Sequence, residues 1–403
     1  TVLGFIYTIF MARLLAPAQF GVFSALVSLV AITFSLGDLG IGPAIINFLP
    51  KHRSSKEKII ETGYWFEYLV ALVILLLFWF TARFSGFLVP GSIPEQFILV
   101  GSIAFNYVLI GFAQSVFTAE KRFLKFSFSQ IVDATIKIIL VAIFFKLGEL
   151  SISTALLANF ISSVLALIIT FWSNLWNMKT SFNKPIFSHL YEFSKWIAIS
   201  RFFSVLISRV DIILLNLLAN SFQAGIFSAA SRITLLFAMI VSSLGTVINP
   251  RFSSFESKME VKKYTRKLIL LVGFISGFVL LTVYFSEPII TLVFGISYFS
   301  ASPIFRLLGL SMIPFLFTVI TTGVLLYTFN QSRFYAQITA LQVGLIVLID
   351  LLFIPKLGAY APIVASTISN LIFLVLSVLK LHQLFANSEL SKQVVLQDAP
   401  KSI

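Results

Sequence analysis

The sequence has no cysteine, and charged residues occupy only 11% of its 403 positions. The absence of cysteine excludes disulfide bonds, thiolate metal sites and cysteine nucleophiles. Histidine occurs three times, as His52, His189 and His382, each in a polar, lysine-containing stretch between apolar segments. We interpret these histidines as interfacial loop residues rather than metal ligands, and we expect neither a metal nor a cofactor.

Apolar residues dominate the chain, at 58% of all positions with a mean hydropathy of +1.00. A soluble protein this apolar could not cover its surface with polar groups, so the excess must face lipid. The net charge of +13 lies mostly in short breaks between apolar segments. Such loop charges record membrane orientation, so we expect no nucleic-acid partner. The fold class predicted is therefore an all-α polytopic membrane protein.

Apolar runs separated by polar breaks predict about twelve transmembrane helices. Their approximate bounds are 1–15, 22–48, 63–84, 96–118, 126–146, 152–176, 194–218, 225–250, 266–294, 303–328, 334–354 and 359–382. The first run is shorter than the ~20 residues of a full span, and we interpret it as a helix truncated at its N-terminus. The alternative, a signal-peptide remnant, lacks a small-residue cleavage site.

Lysine and arginine alternate strongly between the two sets of breaks. The breaks after even-numbered helices, with the C-terminal tail, hold twenty of them, whereas the opposite set holds four. Because basic loops stay on the cytoplasmic side, this split predicts that both termini are cytoplasmic.

The sequence also repeats itself at a nearly constant offset. The motif GVFSA at 21–25 returns as GIFSA at 225–229, Arg-Phe at 122–123 returns at 333–334, and Lys-Leu-Gly at 146–148 returns at 356–358. We infer two six-helix lobes at 1–190 and 191–385, followed by a polar cytoplasmic tail at 386–403. Since six is even, both lobes enter the membrane from the same side and form parallel repeats, as in some rocking transporters.

Two motifs carry a family resemblance. Residues 12–23 read ARLLAPAQFGVF, and residues 36–42 read LGDLGIG. These resemble the first- and second-helix motifs of polysaccharide flippases in the multidrug/oligosaccharidyl-lipid/polysaccharide exporter superfamily, although Ala16 stands where glycine is more usual. The resemblance implies a flippase for undecaprenyl-diphosphate-linked oligosaccharide, used in O-antigen, capsule or similar assembly. It also implies a bacterial or archaeal cytoplasmic membrane and a polysaccharide polymerase as a partner.

Ionisable residues inside the predicted helices are the candidate transport residues. A charge in hydrocarbon costs at least about 2.5–3.5 kcal/mol, so it usually faces a cavity or a partner. The cations assigned to a substrate-binding lumen are Arg201, Arg209, Arg232, Arg306 and Lys137. The candidates for coupling to H⁺ or Na⁺ are Asp38, Asp211, Asp350 and Asp133.

The seventh predicted helix is the most informative. Arg201, Ser204 and Ser208 follow a three-to-four spacing, which gives one polar stripe that must face protein or water. Tight packing explains the serines as well as binding does. We expect the arginines to lack carboxylate partners, because the second lobe offers only Asp211 and Asp350 inside its helices. Arginine forks match diphosphate oxygens, so an anionic lipid diphosphate suits this lobe better than a cationic drug does.

Two of the acids have alternative interpretations. Asp133 and Lys137 are four residues apart on one helix face, which favours a self-neutralising ion pair over a pair that opens for substrate. Asp38, set among Gly37, Gly40 and Gly42, is either a structural cap in a glycine-broken helix or a coupling residue. The sequence leaves these two roles for Asp38 open.

Three other functions compete with the lipid-linked oligosaccharide flippase. A multidrug or cation antiporter of the same superfamily would need an acidic lumen, and a peptidoglycan lipid-precursor flippase would share the diphosphate. A membrane enzyme would need catalytic residues in a sizeable outer loop. The outer breaks here are short and hold few ionisable residues, and no phosphate-loop, zincin or nucleophile-elbow motif is present.

Overall fold

The computed structural model describes residues 2–172, 182–253, 255 and 257–387, and over that part of the chain it is helical with no β-strand. The first eight helices are α1 Val2–Leu14, α2 Pro17–Asp38, α3 Ile41–Phe48, α4 Lys56–Thr81, α5 Ser85–Leu88, α6 Pro94–Ala119, α7 Phe123–Lys146 and α8 Ile152–Trp172. The remainder are α9 Lys184–Leu218, α10 Ser221–Ser253, α11 Lys258–Tyr284, α12 Ser286–Phe294, α13 Ala301–Gly323, α14 Ser332–Leu357 and α15 Ala361–Asn387. The predicted all-α class is confirmed, and positions 388–403 of the predicted tail lie outside the described residues.

Local sequence sets where several helices begin. Pro17 and Pro94 open α2 and α6 at positions where the missing amide hydrogen is no loss. The Asn183 side chain accepts a 3.1 Å hydrogen bond from the Ile186 amide at the start of α9, and Ser257 caps α11 in the same way. The predicted seventh helix therefore starts ten residues earlier than expected, at Lys184 rather than at 194.

Two predicted helices are each divided in the structure. The run 22–48 breaks after Asp38, where Leu39 and Gly40 adopt left-handed conformations with φ of 39° and 75°. The run 266–294 breaks at Phe285, which separates α11 from α12. Hydropathy averaged over a whole span does not reveal either break, because the few polar residues there, such as Asp38 and Glu287, lie between apolar stretches.

Nine stretches of the described residues are long and apolar enough to cross a membrane. They are 17–38, 56–88, 94–119, 123–146, 152–172, 221–245, 258–284, 301–328 and 332–386. The last of these stretches contains both α14 and α15, whereas α1 and α9 are not among the nine. The count of twelve spans stays a prediction.

The chain divides into two compact units, Thr1–Ser228 and Ala229–Ile403. This boundary falls inside α10, whereas the repeat placed the division at 190. Compactness and internal repetition are different criteria, so the repeat-based lobes stay a prediction.

In the first unit, α6 packs against α2, α3, α4 and α8. Its buried Phe112 and Val116 join Ile41, Ile45 and Ile60 in an apolar core. By contrast, α7 leaves large apolar side chains exposed on the face that does not pack against α8, which suits a helix at the lipid boundary.

In the second unit, α13 packs against α11 and α15, and α15 packs in turn against α14. Ile304 and Phe305 of α13 are almost completely buried, whereas Leu270 and Phe274 of α11 are exposed by 72% and 79%. The apolar outer face of α11 is the pattern expected of a helix that contacts hydrocarbon.

The repeated GVFSA and GIFSA motifs pack against each other within the first unit. A methyl group on Gly21 would lie 1.8 Å from the Ser221 carbonyl oxygen, and one on Gly225 would lie 1.9 Å from the Pro17 carbonyl oxygen. Ser228 Oγ donates a 2.9 Å hydrogen bond to Ser24 Oγ. Ser24 and Ser228 are equivalent positions of the repeat, 204 residues apart. The contact of Gly21 with Ser221 is likewise equivalent to the contact of Gly225 with Pro17. The N-terminal parts of α2 and α10 therefore meet about a local two-fold axis.

Candidate functional site

The break after α2 places one acid at a helix junction. Asp38 is the last residue of α2, and its Oδ1 accepts a 2.8 Å hydrogen bond from the Gly42 amide in the first turn of α3. This bond satisfies a free amide in the first turn of α3, as a capping side chain does, although the N-cap position itself is Gly40. It matches the structural one of the two roles left open for Asp38, and the coupling role stays a prediction.

The other oxygen of the same carboxylate bonds an arginine. Arg201 Nη1 donates to Asp38 Oδ2, which joins α2 to α9. The two helices approach closely here, because a methyl group on Gly40 would lie only 2.5 Å from the Ser194 carbonyl oxygen. The Arg201 side chain is 52% exposed, whereas that of Asp38 is 13% exposed. The cation of this pair is thus accessible, and its anion is largely enclosed.

This ion pair corrects the expectation that Arg201 lacks a carboxylate partner. The partner comes from a helix 163 positions earlier in the chain, so counting charges within the second predicted lobe did not reveal it. Arg306 is also paired, because its Nη2 lies 3.3 Å from Glu287 Oε1 and its Nε donates to Ser286 Oγ at 3.2 Å. Glu287 lies inside the predicted run 266–294 but is not among the acids counted for the second lobe; in the structure it follows the break at Phe285.

A third ionisable residue, Glu67 of α4, lies next to the Asp38–Arg201 pair. Its side chain is 0% exposed, and no donor among the described residues hydrogen-bonds either carboxylate oxygen. Asp38 and Arg201 are the charged groups that act on it electrostatically. An ionised carboxylate without donors is strongly disfavoured in an apolar interior, so Glu67 requires a proton or a cation.

A second polar cluster joins α6, α7 and α8. Lys137 Nζ lies 2.5 Å from Asp133 Oδ2 and also donates to the Tyr107 hydroxyl. Asp133 accepts further hydrogen bonds from Tyr107 at 3.1 Å and from Ser162 Oγ at 3.0 Å. The predicted ion pair between positions 133 and 137 is confirmed, and every oxygen of Asp133 has a donor.

Neighbouring amides extend this cluster along the helices. Asn159 Nδ2 of α8 donates a 2.6 Å hydrogen bond to the Tyr7 hydroxyl of α1. Asn106 of α6 donates to Ser163 of α8 at 2.9 Å. Hydrogen bonds between helices add about 0.6 kcal/mol each in membranes, so this set contributes mainly to the packing of the first unit.

The remaining candidates occupy separate places. Arg209 and Asp211 lie on α9 in the first unit, and Arg209 is half-buried. In the second unit, Arg232 lies on α10, Arg306 in the second turn of α13, and Asp350 on α14 with no exposed surface. The described residues include no group of three or more His, Cys, Asp or Glu side chains that could hold a metal ion.

Sequence reasoning singled out Asp38 and Arg201 but did not predict that they meet, and it left Glu67 outside the coupling candidates. The signal for Glu67 was present, since it is an acid inside an apolar helix. Tyr107, Asn159 and Ser162 gave no comparable signal, because isolated polar side chains are common in membrane helices.

Comparison with known proteins supports the resemblance to polysaccharide flippases that the sequence motifs carry. A family model described as "Polysaccharide biosynthesis protein" matches residues 10–303. The capsular polysaccharide biosynthesis protein CapF of Staphylococcus aureus is 25% identical over 235 residues, which cover 56% of this chain and 59% of that protein. The match thus spans less than two thirds of that relative.

Two solved structures share the fold. The lipid II flippase MurJ in an inward closed conformation matches with a TM-score of 0.77 at 16% identity, covering 94% of this chain and 85% of that one. An inward-facing multidrug resistance MATE family transporter of the MOP superfamily matches with a TM-score of 0.72 at 12% identity, covering 96% of both chains. At these identities the likeness concerns the fold, which is that of multi-pass membrane transporters.

Proposed function

Because this chain belongs to the polysaccharide biosynthesis protein family, we propose that it translocates undecaprenyl-diphosphate-linked oligosaccharide from the cytoplasmic to the outer leaflet of the cytoplasmic membrane. The movement occurs by alternating access and supplies a polysaccharide polymerase. The observation that carries the proposal is Arg201, a half-exposed arginine on a polar stripe inside an apolar helix bundle.

Arg201 has the chemistry that a diphosphate requires. Its guanidinium presents a planar fork of donors that matches two phosphate oxygens, and it keeps its charge at any physiological pH. Among the described residues, one carboxylate oxygen bonds it, Oδ2 of Asp38. Its exposed side chain can therefore exchange that partner for a phosphate without the helix moving.

Arg209 is the second member of this proposed phosphate site. It lies eight residues further along α9, about 80° around the helix from Arg201, so both side chains border one wide polar face. Four terminal phosphate oxygens can then be shared by two guanidinium groups. A neutral or acidic glycan remains compatible with such a site.

The other proposed cations need a partner exchange before they bind substrate. Lys137 bonds Asp133, and Arg306 bonds Glu287 and Ser286. Arg232 on α10 completes the proposed set. Transport also needs a driving force, and Asp38, Asp211, Asp350 and Asp133 are the carboxylates proposed to couple it to H⁺ or Na⁺.

Two fold neighbours define the alternative functions. The likeness to a lipid II flippase favours a peptidoglycan precursor as the second candidate substrate, since it also carries a diphosphate. The likeness to a multidrug transporter would favour an organic cation, but an exposed arginine would repel that cation. The diphosphate is the feature that both favoured substrates share.

A flipping assay in proteoliposomes tests the proposal. Purified protein is reconstituted with fluorescent undecaprenyl-diphosphate oligosaccharide, with lipid II, or with ethidium as the organic cation, and movement across the bilayer is measured. Flipping of the oligosaccharide lipid in preference to the other two supports the proposal. Preference for lipid II or for ethidium would assign the chain to the corresponding alternative.

A further inference from the structure

Asp38, Glu67 and Arg201 form a group in which one acid is ionised and the other is protonated. Glu67 is fully enclosed and receives no hydrogen bond from the described residues, whereas Asp38 receives bonds from Arg201 and from the Gly42 amide. Of the two acids, Asp38 is therefore the one stabilised as an anion. Glu67 is the one that must be neutral, and the three residues together then carry no net charge.

Among the described residues, no other ionisable side chain bonds Glu67 or acts on it electrostatically. The helices that pack most against α4 are α2, α3, α6 and α9. Of these, α2 contributes Asp38 and α9 contributes Arg201, α3 carries no ionisable residue, and Tyr107 of α6 is bonded to Asp133. The other ionisable residues of α4 and of the turn that follows it are Lys56, Glu57, Lys58, Glu61, Tyr64, Tyr68 and Arg83.

The cation is the mobile member of the group. Arg201 has a long side chain that is 52% exposed, whereas the short Asp38 side chain is 13% exposed and is fixed to the first turn of α3. When an anionic ligand bonds Arg201, the arginine can swing away from its carboxylate. Asp38 then stays behind as an uncompensated anion beside a buried acid.

We propose that Asp38 and Glu67 act as an acid pair that takes up one proton when Arg201 leaves Asp38 to bind the diphosphate of the substrate. The proton replaces the charge of the departing guanidinium, so the buried group is neutral before and after the exchange. A proton suits the site better than a metal cation does, because a proton needs one oxygen and a metal needs several. The inference rests on the proposed function, since it assigns the diphosphate to Arg201.

This exchange links substrate binding to protonation. The ligand and the proton bind together, because the ligand removes the cation that bonds Asp38 among the described residues. Returning Arg201 to Asp38 expels the proton and weakens the hold on the diphosphate. By linkage, a lower pH then favours ligand binding as strongly as the ligand favours protonation.

Calorimetry measures this exchange directly. The full chain in detergent is titrated near neutral pH with geranylgeranyl diphosphate, a short polyprenyl diphosphate, in two buffers that differ in ionisation heat. The difference in binding heat gives the number of protons taken up, and we expect about one per ligand. Asp38→Asn should bind the ligand with no proton uptake, and its amide oxygen can still cap α3.

Glu57→Gln, on the exposed first turn of α4, is the matched control and should retain the uptake. An infrared spectrum of the ligand-free protein should show a protonated carboxyl band that is lost in Glu67→Gln. Binding without proton uptake, uptake that persists in Asp38→Asn, a missing band, or a requirement for Na⁺ over choline would overturn the exchange. Failure of the wild-type chain to bind the diphosphate would overturn the proposed function with it.

Discussion

Lys137 has a structural contact that does not depend on substrate. Among the described residues, its ammonium group is the one cation bonded to Asp133, and both side chains are less than one-fifth exposed. Removing one partner of a buried ion pair costs about 3–5 kcal/mol, because the other charge is left uncompensated. The structure therefore supports a packing role for Lys137 in the first unit, next to its proposed role in substrate binding.

We predict that Lys137→Met destabilises the protein and that adding Asp133→Asn restores most of the loss. Thermal unfolding in detergent, followed by size-exclusion fluorescence, measures both variants. Lys146→Met, at the exposed end of the same helix, is the control and should unfold like the wild type. If the double variant is stable but inactive in flipping, Lys137 or Asp133 also acts in transport; if it stays unstable, the ion-pair account is wrong.

Arg201 and Arg209 should affect transport rather than stability, in contrast to Lys137. We predict that Arg201→Ala or Arg209→Ala lowers export of the glycan by roughly 10-fold or more, since a hydrogen bond to a charged group contributes about 1.5–3 kcal/mol. The measurement is surface polysaccharide in cells that depend on the variant, with membrane insertion checked by immunoblot. Arg333→Ala, exposed at the start of α14, is the control. Wild-type export from both single variants would contradict a cationic binding site.

At the scale of the element, sequence predicted the apolar helices well and their interruptions poorly. Hydropathy over about twenty residues averages over Leu39 and Phe285, where the backbone departs from helical angles for one or two residues. A structural role for Asp38 was predictable as one of two alternatives, because glycines surround it. Its bond to Arg201 was not, since that bond depends on the approach of α2 and α9. Long-range partners of this kind require the packing of helices to be known.

The close contact between α2 and α10 predicts how a substitution in α2 changes stability. We predict that Gly21→Ala destabilises the protein by about 1–3 kcal/mol, because the new methyl group would lie 1.8 Å from the Ser221 carbonyl oxygen and must push the backbones apart. Gly273→Ala is the matched control, since nothing lies within 4 Å of the methyl group it would add. Thermal unfolding of the two variants measures the difference. Equal stability of both would show that α2 and α10 do not pack so closely in the membrane.

At the scale of the whole molecule, the family resemblance is confirmed by the match over residues 10–303 and by the shared transporter fold. Twelve spans and two lobes divided at 190 remain predictions, as does the orientation. The repeat nevertheless has a physical counterpart in the first unit, where Ser24 meets Ser228 and Gly21 meets Gly225. A sequence repeat whose copies contact each other symmetrically is the expected relic of a duplicated helix bundle.

The absence of cysteine makes the orientation directly testable, because a single introduced thiol has no background. Glu149 follows α7 in a break that has little positive charge, and Lys51 follows α3 in a break rich in lysine; both side chains are exposed. Since basic loops are retained in the cytoplasm, we predict that a membrane-impermeant maleimide labels Glu149→Cys in intact cells. The same reagent should label Lys51→Cys only after the membrane is permeabilised. Labelling of Lys51→Cys in intact cells, with Glu149→Cys protected, would show that the orientation is the reverse of the predicted one. The break that follows α3 would then lie on the outer side of the membrane.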